Sequence, residues 1–132
     1  MVFAFPRSIP VFRDALNSVS RPIEFGLCNW GQANVWTWGS RVGHSWRIRG
    51  DSTPEWWYIV DVIGLGARYT EFTEFWGHND LDMMEIGNGD LTIEEQRTHF
   101  AAWAFLKSPI LIGTDVSRLF SDADVANDGL CS

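Results

Sequence analysis

Residues 45–51 read Ser45-Trp46-Arg47-Ile48-Arg49-Gly50-Asp51, and Thr53-Pro54-Glu55-Trp56-Trp57-Tyr58-Ile59-Val60 follows directly. Ser45 to Arg49 alternates in polarity and reads as a strand closed by Gly50-Asp51. Thr53 can cap the helix that follows. Pro54 suits its first position, and Trp56, Ile59, Val60 and Ile63 give it an apolar stripe. Gly64 and Gly66 are expected to stop it. Strand, polar turn and helix in direct succession make one βα unit.

The same pattern recurs on both sides. Upstream, Pro10 to Val19 reads as a helix with Val11, Phe12, Ala15, Leu16 and Val19 on one face, broken at Arg21-Pro22. Ile23 to Leu27 reads as a strand that ends in Cys28-Asn29-Trp30, and Val35 to Gly43 as a loop or one-turn helix. Downstream, Phe72 to Asn79 is a weaker strand candidate that runs into Asp80-Leu81-Asp82-Met83. Ile93 to Lys107 is the strongest helix, with Thr92 and Glu95 as a capping box and Phe100, Trp103, Ala104 and Leu106 toward one side. Ile110 to Ile112 is a short apolar strand before Gly113-Thr114-Asp115. The tail after Phe120 is acidic, small and without apolar periodicity. Strands alternating with helices predict an α/β fold with a parallel sheet. The polar residues after each strand then share one rim, where α/β barrels place their sites.

Composition narrows the function. The chain has 132 residues, 45% of them apolar and 20% charged, so it can bury a core. It is too short for a complete (β/α)₈ barrel, which needs about 250 residues. The formal net charge is −7, and Lys107 is the only lysine beside nine arginines. That balance disfavours nucleic acid and anionic membrane surfaces as partners and leaves sugars and peptides open. No apolar run is long enough for a transmembrane helix. Met1 to Phe12 has no signal-peptide apolar region, because Pro6, Arg7 and Pro10 interrupt it. Cys28 and Cys131 allow one disulfide at most.

Several residues could carry chemistry. Asp51 sits at a strand end near arginine and aromatics, able to give or take a proton, or it simply faces the positive end of the next helix. Asp80 and Asp82 could take a divalent cation or sugar hydroxyls, or could satisfy their own loop backbone. His44, His78 and His99 lack zinc-ligand spacing, and His99 is expected at a packing edge. Ser45 and Ser108 lack a Gly-x-Ser-x-Gly context. Gly87-Asn88-Gly89 reads as a turn with positive φ. Trp30, Trp36, Trp38 and Trp46 could stack on sugars or fill a core, while Trp56 and Trp57 read as core.

Leu27-Cys28-Asn29-Trp30-Gly31-Gln32 and Trp46-Arg47-x-x-Gly50-Asp51 resemble motifs of one known family. So do His78-Asn79-Asp80-x-Asp82-Met83-x-Glu85-Ile86-Gly87-Asn88-Gly89, Thr98-His99-Phe100-x-x-Trp103-Ala104 and Lys107-Ser108-Pro109. Leu111-Ile112-Gly113-Thr114-Asp115 completes the set, in family order. The chain resembles the fungal branch of the melibiase α-galactosidases, glycoside hydrolase family 27. The resemblance implies a partial (β/α)₈ TIM barrel, roughly strands five to eight with their helices. Residues 10–120 would be this half of the catalytic domain, with a divergent segment at 1–9 and a divergent tail at 121–132.

The resemblance also implies roles. Hydrolysis of terminal α-galactosyl residues would proceed with retention through two carboxylates, and Asp51 matches the acid/base. The nucleophile's Lys-x-Asp motif has no match here, so the isolated chain is expected to be inactive. Arg47 matches the arginine that contacts galactose hydroxyls. Cys28, Asn29 and Trp30 match the loop that selects the group at C2, and Asp82 and Met83 match a substrate contact pair. The usual disulfide partner of Cys28 is missing, so a free thiol is expected unless Cys131 reaches it. The family implies an α-galactoside substrate, no cofactor and secretion, and half a barrel would leave edges open to self-association. The rival readings are a non-catalytic galactose-binding module and a non-functional truncated product.

Overall fold

The computed structural model describes residues 8–119. The segments 1–7 and 120–132, with Cys131 and most of the two ends expected to diverge, lie outside them.

Three short parallel strands form the centre: β1 (Gly26–Leu27), β2 (Ser45–Arg47) and β3 (His78–Asp80), in that spatial order. Trp46 pairs with Leu27 on one side and Asn79 on the other. All three residues of β2 are buried, as befits a central strand covered on both faces. Among the described residues four helices accompany the sheet: α1 (Ser8–Asn17), α2 (Trp56–Arg68), α3 (Ile93–Phe105) and α4 (Val116–Leu119). The alternation of parallel strand and helix stands as expected. Between β1 and β2 the chain makes only 3₁₀ turns at Gln32–Thr37 and Gly39–Arg41.

The core is built on the inner faces of α2 and α3. Trp46, Ile59, Val62, Leu81, Met84 and Trp103 are almost wholly out of water, each contributing about 1.5–3 kcal/mol of burial. Trp46 also donates its indole N–H to Asn79 Oδ1 at 2.7 Å, so a polar edge inside the sheet is satisfied. α3 begins at the expected capping box: Glu95 N–H donates to Thr92 Oγ1, and Thr92 N–H donates to Glu95 Oε2.

Several expectations are corrected. α2 starts later than the Thr53 cap, with Glu55 at its N-cap position and no side-chain cap. Gly64 and Gly66 do not stop it; it runs to Arg68. Gly66 is there for close approach, since a Cβ would lie 2.9 Å from Leu106 Cδ1 and 3.0 Å from Leu81 Cδ2. Ile23 to Leu27 pairs only at Gly26–Leu27, and Phe72 to Asn79 pairs only from His78 onward. Ile110 to Ile112 makes a single bridge, Met84 to Ile112, not a strand. These three residues stay about half exposed, and a parallel strand needs cover on both faces. Trp57 is 66% exposed, off the buried face of α2 formed by Ile59 and Val62. His99 lies in the core, not at its edge, with its ring against Trp103 at 4.0 Å between centroids.

The apolar face foreseen for α1 is mostly uncovered among the described residues, with Leu16 alone of its five residues half-buried. Val11 is 66% and Phe12 62% exposed, and α1 buries nothing fully.

Candidate active site

The strands place their carboxyl-end residues side by side. Arg47 closes β2, Asp80 closes β3, and parallel pairing sets these two opposite each other. From there the chains continue into Ile48–Ser52 and Leu81–Glu85. Ile48 N–H donates to Asp80 O at 3.1 Å, so the two loops leave the sheet together. On the other side Gly31 N–H donates to Arg47 O at 2.9 Å and ties down the Cys28–Gly31 turn.

Arg47 is the hub. Its Nη2 donates to Asp82 Oδ2 at 2.5 Å, Gly50 O at 2.9 Å and Asp51 Oδ1 at 3.2 Å. Nη1 lies 3.9 Å from Cys28 Sγ. The side chains of Arg47 and Asp82 are each only 11% exposed, whereas that of Asp51 is 74% exposed. A buried guanidinium demands a buried carboxylate, and Asp82 supplies it. Asp51 sits at the mouth of the site, held lightly by the same nitrogen.

Asp82 is fixed from every side. Its N–H donates to Asp80 Oδ1 at 2.8 Å, and its carbonyl accepts the Trp103 indole N–H at 2.7 Å. Its carboxylate accepts from Arg47 and from the Ser52 N–H at 2.7 Å. Those contacts hold it at φ 82, a left-handed conformation that a non-glycine residue adopts at a cost of order 1–3 kcal/mol. Burial raises the Asp80 carboxyl above the usual range, against the Asp82 N–H and the Arg47 charge, which lower it. Burial likewise raises the Tyr58 hydroxyl, which donates to Gly50 O at 2.6 Å. The carbonyl of Gly50 thus receives both Arg47 and Tyr58.

The sequence candidates therefore converge. Cys28, Arg47, Asp51 and Asp82 meet around one guanidinium, with Asn29, Trp30 and Met83 on the same loops. Cys28 is exposed and unpaired among the described residues. Asn29 Oδ1 and Arg47 Nε are buried without a hydrogen-bond partner among the described residues, one acceptor and one donor left open beside the site. Among the four tryptophans considered for sugar stacking, Trp38 and Trp46 are buried and Trp36 stacks on Tyr69 at 3.9 Å. Trp30 is 52% exposed, on the loop that follows β1. Gly87 and Gly89 take φ of 80 and 61, so Gly87-Asn88-Gly89 is the turn that was expected.

Sequence reasoning missed Ser52, Tyr58 and Glu85 as parts of this cluster. Glu85 was visible only as a member of a longer motif, and Ser52 and Tyr58 carried no local signal.

A family model described as alpha galactosidase A, of the melibiase type, matches residues 4–127. The chain belongs to that family. It is 53% identical over 107 residues to a probable alpha-galactosidase B of Aspergillus oryzae, covering 81% of this chain and 24% of that protein. A probable alpha-galactosidase B of Penicillium simplicissimum is 47% identical over 116 residues, covering 88% of this chain and 26% of that protein. Among solved structures, an alpha-galactosidase from Saccharomyces cerevisiae with raffinose superposes with a TM-score of 0.78 at 35% identity. That match covers 82% of this chain and 29% of the yeast chain. Alpha-galactosidase I from Mortierella vinacea gives a TM-score of 0.76 at 33% identity, covering 83% of this chain and 32% of that one. This melibiase-family chain thus spans about a quarter of the length of the curated relatives it matches.

Proposed function

We propose that this chain is the acid/base-bearing part of an α-galactosidase barrel, strands five to eight with their helices, and that Asp51 is the acid/base. The observation that carries the reading is the Arg47 guanidinium, which draws Asp51 and the buried Asp82 to one point at the carboxyl ends of parallel strands.

In retaining hydrolysis a carboxylate nucleophile attacks the anomeric carbon while the acid protonates the departing oxygen. The C–O bond to the aglycone breaks and a galactosyl-enzyme bond forms. The acid, now a carboxylate, takes a proton from water, whose oxygen then attacks the same carbon and releases galactose. Asp51 has the exposure for both proton transfers. Arg47 would orient galactose hydroxyls, and its open Nε is a spare donor. Asp82 and Met83 would line the sugar, and Cys28, Asn29 and Trp30 would meet its C2 substituent. The nucleophile belongs to a Lys-x-Asp strand end that these 132 residues do not contain. The chain by itself is therefore inactive, and its substrate, an α-galactoside, is bound only when the other strands complete the barrel. The open edge of β1, the apolar face of α1 and Ile110–Ile112 are the surfaces that would receive those strands or, failing them, a second copy. The same resemblance makes the protein a secreted one.

The test is reconstitution with a polypeptide carrying the first four βα units of the Aspergillus oryzae relative. The chain alone should not hydrolyse nitrophenyl α-galactoside, and the mixture should. In the mixture Asp51→Asn should cut turnover by about 10²–10⁴-fold while calorimetry still registers galactose. An active mixture indifferent to Asp51→Asn overturns the assignment.

A further inference from the structure

Ser52 follows Asp51 and touches the β3 loop with both of its polar groups. Its N–H donates to Asp82 Oδ2 at 2.7 Å. Its Oγ lies 2.8 Å from Glu85 Oε1 and 2.9 Å from Met83 O, so its one hydroxyl proton serves both acceptors. Glu85 is itself anchored, because its Oε2 accepts from Asn88 Nδ2 at 2.6 Å. Asn88 sits in the left-handed glycine turn, whose Gly87 N–H donates to Gln96 Oε1 of α3 at 2.9 Å. Hydrogen bonds joined through the Gly87–Asn88 backbone therefore link α3 to the residue beside Asp51.

Asp51 needs that support. Its own carboxylate is mostly in water and has one charged partner, Arg47, at 3.2 Å. Nothing in so exposed a contact fixes an aspartate to the tolerance that proton transfer requires, since a misplacement of about 1 Å can cost about 10²-fold in rate. The backbone must do the fixing, and residues 50–52 hold no helix or strand pairing of their own. Tyr58 and Arg47 hold the Gly50 carbonyl on one side of Asp51, and Ser52 holds the other.

We propose that Ser52 and Glu85 are positioning residues that clamp the Asp51 loop onto the β3 loop. This deepens the reading of Asp51 as acid/base and rests on it for its catalytic meaning. The two carboxylates divide the work. Asp82 fixes the Ser52 backbone and is already committed to Arg47. Glu85 fixes the Ser52 hydroxyl and is free of any arginine contact that the structure shows, so its substitution leaves the buried ion pair intact.

The clamp is tested first by ¹⁵N relaxation on the 132-residue chain. Ser52→Ala and, separately, Glu85→Ala should lower the order parameters of the amides at positions 51 and 52 from about 0.85 to below about 0.6. Those of Trp46 and Arg47 in β2 should not move. Ser52→Thr, which restores a hydroxyl, should restore the order, and the double alanine variant should add nothing to either single one. Unchanged order at position 51 in both alanine variants overturns the proposal. A loss that spreads to Trp46 and Arg47 also overturns it, because the hydroxyl would then be supporting the sheet in general.

The reconstituted enzyme separates this from the acid/base reading. Loss of a well-placed acid hurts poor leaving groups most. Ser52→Ala should lower kcat/KM for an oligosaccharide about tenfold more than for nitrophenyl galactoside. Asp51→Asn should show the same bias, more strongly. If Asp51→Asn shows it and Ser52→Ala does not, the clamp fails alone. If Asp51→Asn lacks it, the acid/base assignment fails whatever Ser52 does.

Discussion

Arg47 at the end of β2 and Asp82 just beyond β3 form a buried ion pair, each side chain 11% exposed, across 35 residues of chain. Arg49, two residues on, pairs with Asp61 at 3.0 Å with both side chains nearly half exposed. The two pairs look alike in a sequence and differ in energy by their surroundings. Removing one member of a buried pair strands the other charge and costs about 3–5 kcal/mol. An exposed pair is worth about 0–1 kcal/mol. Arg47→Met should therefore lower the urea midpoint by several times the effect of Arg49→Met at similar m-values. Equal midpoints for the two variants would refute the assignment of Arg47 as the electrostatic centre.

His99 makes stability depend on pH. Both ring nitrogens are buried without partners among the described residues, and burial lowers the imidazole from its ordinary 6.5 to about 4. The unfolded chain therefore takes up the proton first as pH falls. The stability held by neutral His99 is complete above about pH 6.5 and is lost as pH falls toward about 4, by up to roughly 3 kcal/mol. Denaturant titrations of the chain and of His99→Leu across that range should differ in slope, the variant being flatter. Parallel curves would show that the ring finds a partner for its proton in the folded state.

Two glycines in α2 should respond with opposite signs to alanine. Nothing lies within 4 Å of the Cβ position at Gly64, so Gly64→Ala should stabilise by up to about 1 kcal/mol through helix propensity. The same change at Gly66 drives a methyl group against Leu81 and Leu106, and overpacking of this kind costs typically about 1–3 kcal/mol. Thermal unfolding of both variants reads the signs directly. A rise in Tm for Gly66→Ala would mean that α2 is free to shift away from β3.

The parts of the fold that could be read from the chain were those with local causes. Thr92 and Glu95 announce the start of α3 because a capping box is made within four residues. The positive φ of Gly87 and Gly89 follows from their own lack of a Cβ. The parallel arrangement follows from apolar strands separated by helical stripes. The candidate site residues were legible because Cys28, Asp51 and Asp82 follow strands, and Arg47 closes one, within motifs. Where local rules failed, a distant neighbour was responsible. Gly66 looked like a helix stop, yet Leu81 and Leu106 need the space it leaves. His99 looked like an edge residue, yet the Trp103 ring covers it. Ile110 to Ile112 looked like a strand, yet its flank is largely open to solvent.

The sequence by itself determined that this is an α/β chain of parallel units, with melibiase-family motifs on one rim and an aspartate at the end of its central strand. Only the tertiary structure decided that Arg47 faces inward to Asp82 and merely touches Asp51, and that Ser52 joins Asp82 and Glu85. The contacts to Asp82 and Glu85 span 30 to 35 residues and depend on the register that sets Arg47 opposite Asp80. Register comes from packing Trp46 and its neighbours into one core. No local pattern of residues encodes it, because the energy that selects it is not gained until the strands meet.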